Sequence, residues 1–145
     1  MNLYDTVIGS GPRQVVFLHG LFGQGKNFSS VATALGDVAT CHLVDLPNHG
    51  RSPWTEEFDL DGQADAVADW ITETFDGPVA LIGHSLGGKI GMRLALRRPE
   101  LIDRLMVVDI SPPGTRRRSR STPSSRRCAT LTSTGSRAGP RPTVT

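Results

Sequence analysis

The stretch Leu81-Ile82-Gly83-His84-Ser85-Leu86-Gly87-Gly88 decides how this chain is to be read. Val79 to Ile82 is a short apolar run, as a buried strand requires. Gly-His-Ser-Leu-Gly follows at once and matches G-x-S-x-G. Leu86, Ile90 and Leu94 then recur every four residues, the period of a helix face. Strand, tight turn and helix together force Ser85 into a strained backbone and lift its hydroxyl clear of the sheet. Gly83 and Gly87 are expected to be glycine because strand and helix nearly touch there. At the start of a helix, the backbone N–H of Leu86 can point at a developing oxyanion.

Outward from this stretch, strands and helices alternate. Leu3 to Ile8 alternates loosely and ends at Gly9-Ser10-Gly11-Pro12, which predicts a hairpin at the sheet edge. Val15 to Leu18 is a buried strand that stops at His19-Gly20-Leu21-Phe22-Gly23. Phe28, Val31, Ala32 and Leu35 have helical spacing, with Asn27 as the expected N-cap and Gly36 as the stop. Cys41 to Val44 is a strand ending at Asp45, followed by a loop dense in turn residues through Pro53. A helix from about Asp61 to Phe75 carries the stripe Ala64, Val67, Ala68, Ile71 and Phe75. After the Ser85 turn and a helix over 86–97, Pro99 and the strand Leu105 to Val108 lead to Asp109. The pattern predicts an α/β fold, a parallel sheet with helices on both faces. In such sheets the carboxyl ends of the strands face the ligand. His19-Gly20, Asp45, Ser85 and Asp109 all fall there.

Charge is divided unevenly. Residues 1–114 hold eight basic and fourteen acidic residues, a net charge of −6; residues 115–145 hold eight Arg and no acid, +8. The overall +2 therefore says nothing about the first part. Residues 115–145 also contain seven Thr, six Ser and three Pro, with Leu131 and Val144 as the only aliphatics besides two Ala. Such a segment buries too little apolar surface to offset its ordering entropy and is expected to be disordered. Two cysteines, Cys41 and Cys128, make neither a disulfide framework nor a metal site, and no spacing implies a metal or cofactor. No signal pattern opens the chain and no apolar run approaches about 18 residues, so a cytoplasmic protein with no membrane partner is expected.

Three motifs in order resemble the N-terminal half of an α/β-hydrolase, over most of residues 3–113. His-Gly-Leu-Phe-Gly at 19–23 is similar to that family's oxyanion loop. Asp-Leu-Pro-Asn-His-Gly-Arg-Ser-Pro at 45–53 is similar to its D-x-x-x-x-G-x-S segment, and residues 83–88 to its nucleophile elbow. The Asn-His-Gly-x-Ser-Pro form, with Val-Val-Asp-Ile-Ser-Pro at 107–112, resembles small soluble carboxylesterases acting on short acyl esters and thioesters. The resemblance implies that Ser85 attacks an ester carbonyl to form an acyl-enzyme, with the N–H groups of Leu21 and Leu86 as the oxyanion hole. It also implies other activities of the same fold: haloperoxidase, lactonase, carbon–carbon hydrolase or acyltransferase.

The chain departs from the family order of Ser, then Asp or Glu, then His. His19, His42, His49 and His84 all precede Ser85, and none follows it. Of these, His19 belongs to the oxyanion loop, His42 to a strand and His49 to a surface loop; His84 is expected to point away. Asp109 is the acid at a strand end after Ser85, either the triad acid or a structural carboxylate capping its loop. The division thus falls between a hydrolase portion, 1–114, and the tail, 115–145. The family's later strands, helices and lid are missing, which leaves the Leu105–Val108 strand as an apolar edge and predicts that residues 1–114 alone aggregate. The abrupt change near Gly114 is what an out-of-frame reading of a GC-rich gene produces; an incomplete or inactive hydrolase is the expectation. A separate reading gives the tail, with Arg116-Arg117-Arg118-Ser119-Arg120, to RNA or an anionic surface, but it lacks aromatic residues for stacking. The partner expected is therefore a small acyl ester or thioester, not nucleic acid.

Overall fold

A computed structural model describes residues 1–110; the expected tail, 115–145, lies outside the described residues. Five strands, β1 (Asp5–Ile8), β2 (Arg13–Leu18), β3 (Ala39–Val44), β4 (Val79–His84) and β5 (Ile102–Val108), form one sheet in the order β1-β3-β2-β4-β5. All neighbours are parallel except β1 against β3. Three helices connect them: α1 (Ser29–Leu35), α2 (Leu60–Thr74) and α3 (Leu86–Arg97).

The alternation of each strand sorts the core into two layers. Val16, Leu18, Val44, Val79 and Leu81 pack with α2 and α3, through Val67, Ile71, Ile90 and Leu94. Val15, Phe17, Cys41 and Leu43 point the other way and meet Ala32 of α1 and Phe28. Helices therefore cover both faces, as expected. The glycine-rich contacts lie on the first face, where Gly91 of α3 brings that helix against Leu81 and Leu105. The arrangement places the ends of β2, β3, β4 and β5 along one rim of the sheet.

Two local expectations are corrected. The first strand makes no hairpin with the second; it crosses over and pairs antiparallel with β3, Asp5 opposite Val44 and Ile8 opposite Cys41. Both edges of β2 are taken by β3 and β4, so β1 cannot pair with β2 and joins instead at the far side of β3. The Gly9-Pro12 cluster makes that crossing: Gly9 has φ +88° and lies against Gly36 and Ala39. Asn27 is not an N-cap. A 3-10 turn, Gly25–Phe28, precedes α1, whose cap residue is Phe28 with no side-chain capping bond. A true cap appears at α2, where Asp59 accepts from the N–H groups of Asp61 and Gly62.

The β4–β5 side is open. Among the described residues β5 has no neighbour on its outer edge. Met106 and Val108 are exposed on it, and Leu96 of α3 is 82% exposed. Met92, Ala95, Leu96 and Leu105 line an apolar groove of about 480 Å³ between α3 and β5.

Candidate active site

Ser85 sits between β4 and α3 with φ 49° and ψ −108°, a conformation that costs a non-glycine residue about 1–3 kcal/mol. Three backbone bonds hold it there. Its N–H donates to the Val108 carbonyl at 3.0 Å, and its own carbonyl accepts from Lys89 N–H at 3.1 Å. The Gly87 N–H donates to the His19 carbonyl at 3.0 Å, which ties the turn to the end of β2. Close approach explains the glycines. A Cβ on Gly83 would lie 2.4 Å from the Gly87 carbonyl oxygen, and one on Gly87 would lie 2.2 Å from that of Leu18. Among the described residues, no acceptor takes the Leu86 N–H at the first turn of α3.

The loop after β2 is shaped by His19. This side chain is 1% exposed. Its Nε2 accepts from the Leu46 N–H at 3.0 Å, so the ring proton belongs on Nδ1, which donates to the Gly20 carbonyl at 2.8 Å. Burial pushes its pKa below the ordinary value, so the neutral ring that this bonding needs is favoured. The Gly23 N–H closes a tight turn on the Gly20 carbonyl at 2.9 Å. Leu21 and Phe22 stand at its tip, Phe22 with φ 60° and 91% exposed. The Leu21 N–H, like that of Leu86, meets no acceptor among the described residues.

The segment after β3 is held by Asp45. Its carboxylate accepts from the N–H of Gly25 at 2.7 Å through Oδ1 and from that of Arg51 at 2.9 Å through Oδ2. Gly50, at φ 52°, rests so closely on this carboxylate that a Cβ would lie 2.0 Å from Oδ2. Ser52 Oγ accepts from the Tyr4 N–H and donates to the Asp45 carbonyl. The acid, glycine and serine of this motif are therefore a latch between β1, β3 and the loop after β2.

The histidines divide clearly. His42 Nδ1 meets Asp5 at 2.8 Å and Nε2 meets Gln14 at 3.0 Å, against Trp70 and Phe75 and away from the rim. His49 is in a loop, but it is buried rather than a surface residue: it donates from Nδ1 to the Pro47 carbonyl at 2.9 Å and packs edge-on against His19. His84 departs from the expectation that it points away. Its Nε2 lies 3.7 Å from Asp109 Oδ2, and its Nδ1 stands over Gly20. That separation is too long for a hydrogen bond. Asp109 has φ 57° and its side chain is 83% exposed. The side chain caps nothing among the described residues. Sequence reasoning missed the His84–Asp109 approach because the pairing of β4 with β5, which sets His84 opposite Val108, is invisible in residue order.

Comparison with known proteins agrees with this geometry. A family model described as alpha/beta hydrolase fold matches residues 14–124. The chain is 43% identical over 103 residues to the sn-1-specific diacylglycerol lipase ABHD11 of Mus musculus, covering 70% of this chain and 34% of that protein. It is 44% identical over 112 residues to the pimeloyl-[acyl-carrier protein] methyl ester esterase of Chromobacterium violaceum, covering 77% and 42%. Among solved structures, a marine microorganism esterase superposes with a TM-score of 0.74 at 34% identity, covering 77% of this chain and 42% of that one. The chain thus spans between a third and a half of the length of these relatives. No helix among the described residues is long and apolar enough to cross a membrane. From the strained serine between β4 and α3, the two latched loops beside it and the matched stretch of 111 residues, 14–124, this chain belongs to the α/β-hydrolase family.

Proposed function

We propose that the chain derives from an ester hydrolase in which Ser85 is the nucleophile of an acyl-enzyme. The observation that carries this is the backbone of Ser85, φ 49° and ψ −108°, beside a helix N–H with no acceptor among the described residues. Strain at a serine of this kind serves presentation of the hydroxyl rather than packing. The N–H groups of Leu21 and Leu86 form the oxyanion hole, each donor worth about 3 kcal/mol to the tetrahedral intermediate. Asp109 is the candidate acid, and the substrate is a small carboxylic ester or thioester met in the cytoplasm. The names of the esterase and lipase relatives support ester chemistry; they do not choose the ester.

Turnover is impaired in this chain. A base must take the Ser85 proton, and no histidine follows Ser85 in the sequence. His19, His42 and His49 are committed to bonds that shape loops and core, and His84 stands 3.7 Å from Asp109, beyond hydrogen-bond reach of the acid that would orient it. Residues 1–114 are the hydrolase portion of this reading and 115–145 a tail without a catalytic part.

The test is p-nitrophenyl acetate hydrolysis by the full chain beside Ser85→Ala, with mass spectrometry of the quenched protein. The reading expects a slow acetylation of Ser85 that the variant lacks and little steady turnover. Equal rates, and no acetyl group on Ser85, refute it.

A further inference from the structure

The geometry points to an anion-binding pocket at the ends of β1 and β3, shaped for the phosphate group of a ligand. Tyr4, Thr6, Gln24, Lys26, Asp45 and Arg51 line a pocket of about 210 Å³. That is smaller than the pockets that hold whole drug-sized ligands, about 300–1,000 Å³, and suits one group of a larger molecule.

Its lining is rich in donors. Arg51 is pre-set: its Cζ lies 4.9 Å from the centroid of the Tyr4 ring, and its Nη1 donates to Tyr4 Oη at 2.7 Å. Because Tyr4 Oη accepts that bond, its own proton is left for a ligand. Thr6, Gln24 and Lys26, each with a side-chain donor, also line the pocket. The one carboxylate, Asp45, has both oxygens bonded to backbone N–H groups. Among the described residues no carboxylate pairs with Lys26 or Arg51 within 4.0 Å. Residues 111–145 contain no Asp or Glu that could do so. Lys26 and Arg51 thus make no ion pair among the described residues, in the part of the chain whose net charge is −6. Two cationic side chains lining one small pocket suit the three terminal oxygens of a phosphate.

The pocket lies on the same rim as Ser85. The order β1-β3-β2-β4 puts β3 two strands and β1 three strands from β4. At about 4.8 Å per strand, the lateral separation across the sheet between anion and serine is about 10–14 Å. An ester reaching both would carry its phosphate at that distance from the scissile carbonyl. This last step rests on the proposed hydrolysis; anion binding itself does not.

The test is a titration of the 15N-labelled full chain with inorganic phosphate, and separately with methyl phosphate, at pH 7 and constant ionic strength. Saturable amide shifts at Thr6, Gln24, Lys26 and Arg51 are expected with at least one of the two. Arg51→Ala should weaken binding about tenfold, and Arg51→Lys less, because lysine keeps the charge but loses the fork. Lys26→Ala, at an exposed side chain, should weaken it severalfold and covers the case of an unfolded Arg51 variant. Shifts confined to residues 115–145, or unchanged affinity in Lys26→Ala and Arg51→Ala, overturn the proposal. Ser85→Ala should bind phosphate as the parent does, whatever becomes of the acyl-enzyme.

Discussion

Replacing Gly87 by alanine would set a Cβ 2.2 Å from the carbonyl oxygen of Leu18 and 2.5 Å from its carbonyl carbon. Both atoms are backbone of β2, a strand held on each side by β3 and β4. Restoring ordinary contact requires helix and strand to part by about 1 Å, and overpacking of that kind costs about 1–3 kcal/mol. A backbone obstacle belongs at the upper end. The same movement stretches the Gly87 N–H bond to the His19 carbonyl, worth about 1 kcal/mol. Higher helix propensity of alanine returns about 1 kcal/mol. The net expectation is a loss of about 2–3 kcal/mol, a large part of the 5–15 kcal/mol that holds an ordinary domain. Gly91→Ala is the matched control in the same helix. Its Cβ would meet only Leu81 Cδ2 at 2.8 Å and Leu105 Cδ1 at 3.0 Å, methyl groups that can rotate away. That variant should unfold within about 1 kcal/mol of the parent, since propensity offsets the small adjustment. Urea denaturation of the full chains, followed by circular dichroism, reads the difference. Equal midpoints for the two variants would show that the β2–α3 contact is not tight and that the turn is not fixed by it.

Ser85→Gly should raise stability by about 1 kcal/mol or more by relieving the positive φ, whereas Ser85→Ala should not; both abolish acetyl capture, and the urea midpoints separate them. Asp45→Asn keeps the size of the side chain but offers one acceptor to two N–H donors, those of Gly25 and Arg51; a loss of about 2–3 kcal/mol in the same assay is expected. For His19, a folded pKa held below its unfolded value means that the unfolded chain takes up the proton first. Its contribution is therefore full above the unfolded pKa, near about 6.5, and is lost as pH falls below it. Stability measured from pH 7.5 to pH 5 should fall, and His19→Asn should flatten part of that slope; parallel slopes would remove His19 from the account.

Much of the fold could be read because the relevant signals are local. Val79–His84, Ser85 and Leu86–Arg97 are contiguous, and their strand, turn and helix periods announce themselves. The order of strands is not local. Nothing between Asp5 and Leu18 says that β1 will lie beyond β3, because that follows from β2 having both edges occupied. The N-terminus of α1 was obscured for a similar reason. Gly25 must press against the Leu43 carbonyl, and the chain meets that demand with a 3-10 turn before the helix begins. At the rim, the glycines of the Ser85 turn were legible as steric necessities. The burial of His49 and the donor-lined pocket around Arg51 were not, since His49 packs on His19 and Arg51 bonds Tyr4, 47 positions away in the chain.

The contacts that strain Ser85 are found within the described residues, and on the proposed reading that separates presentation of the nucleophile from its activation. Val108, His19 and Lys89 supply the bonds, and Gly83 and Gly87 permit the approach. Every one of these residues lies between the end of β2 and the end of β5. On the proposed reading, proton removal needs a base outside that set: His19 and His49 are spent on the loops after β2 and β3, and His84 stands 3.7 Å from Asp109, too far for a hydrogen bond to orient it. The strain is therefore held by the sheet core and does not wait on the catalytic partner. On the proposed reading, the strained serine is presented but reacts slowly. On that reading slow acylation with little turnover is expected, and the acetylated serine, rather than product, is the species to measure.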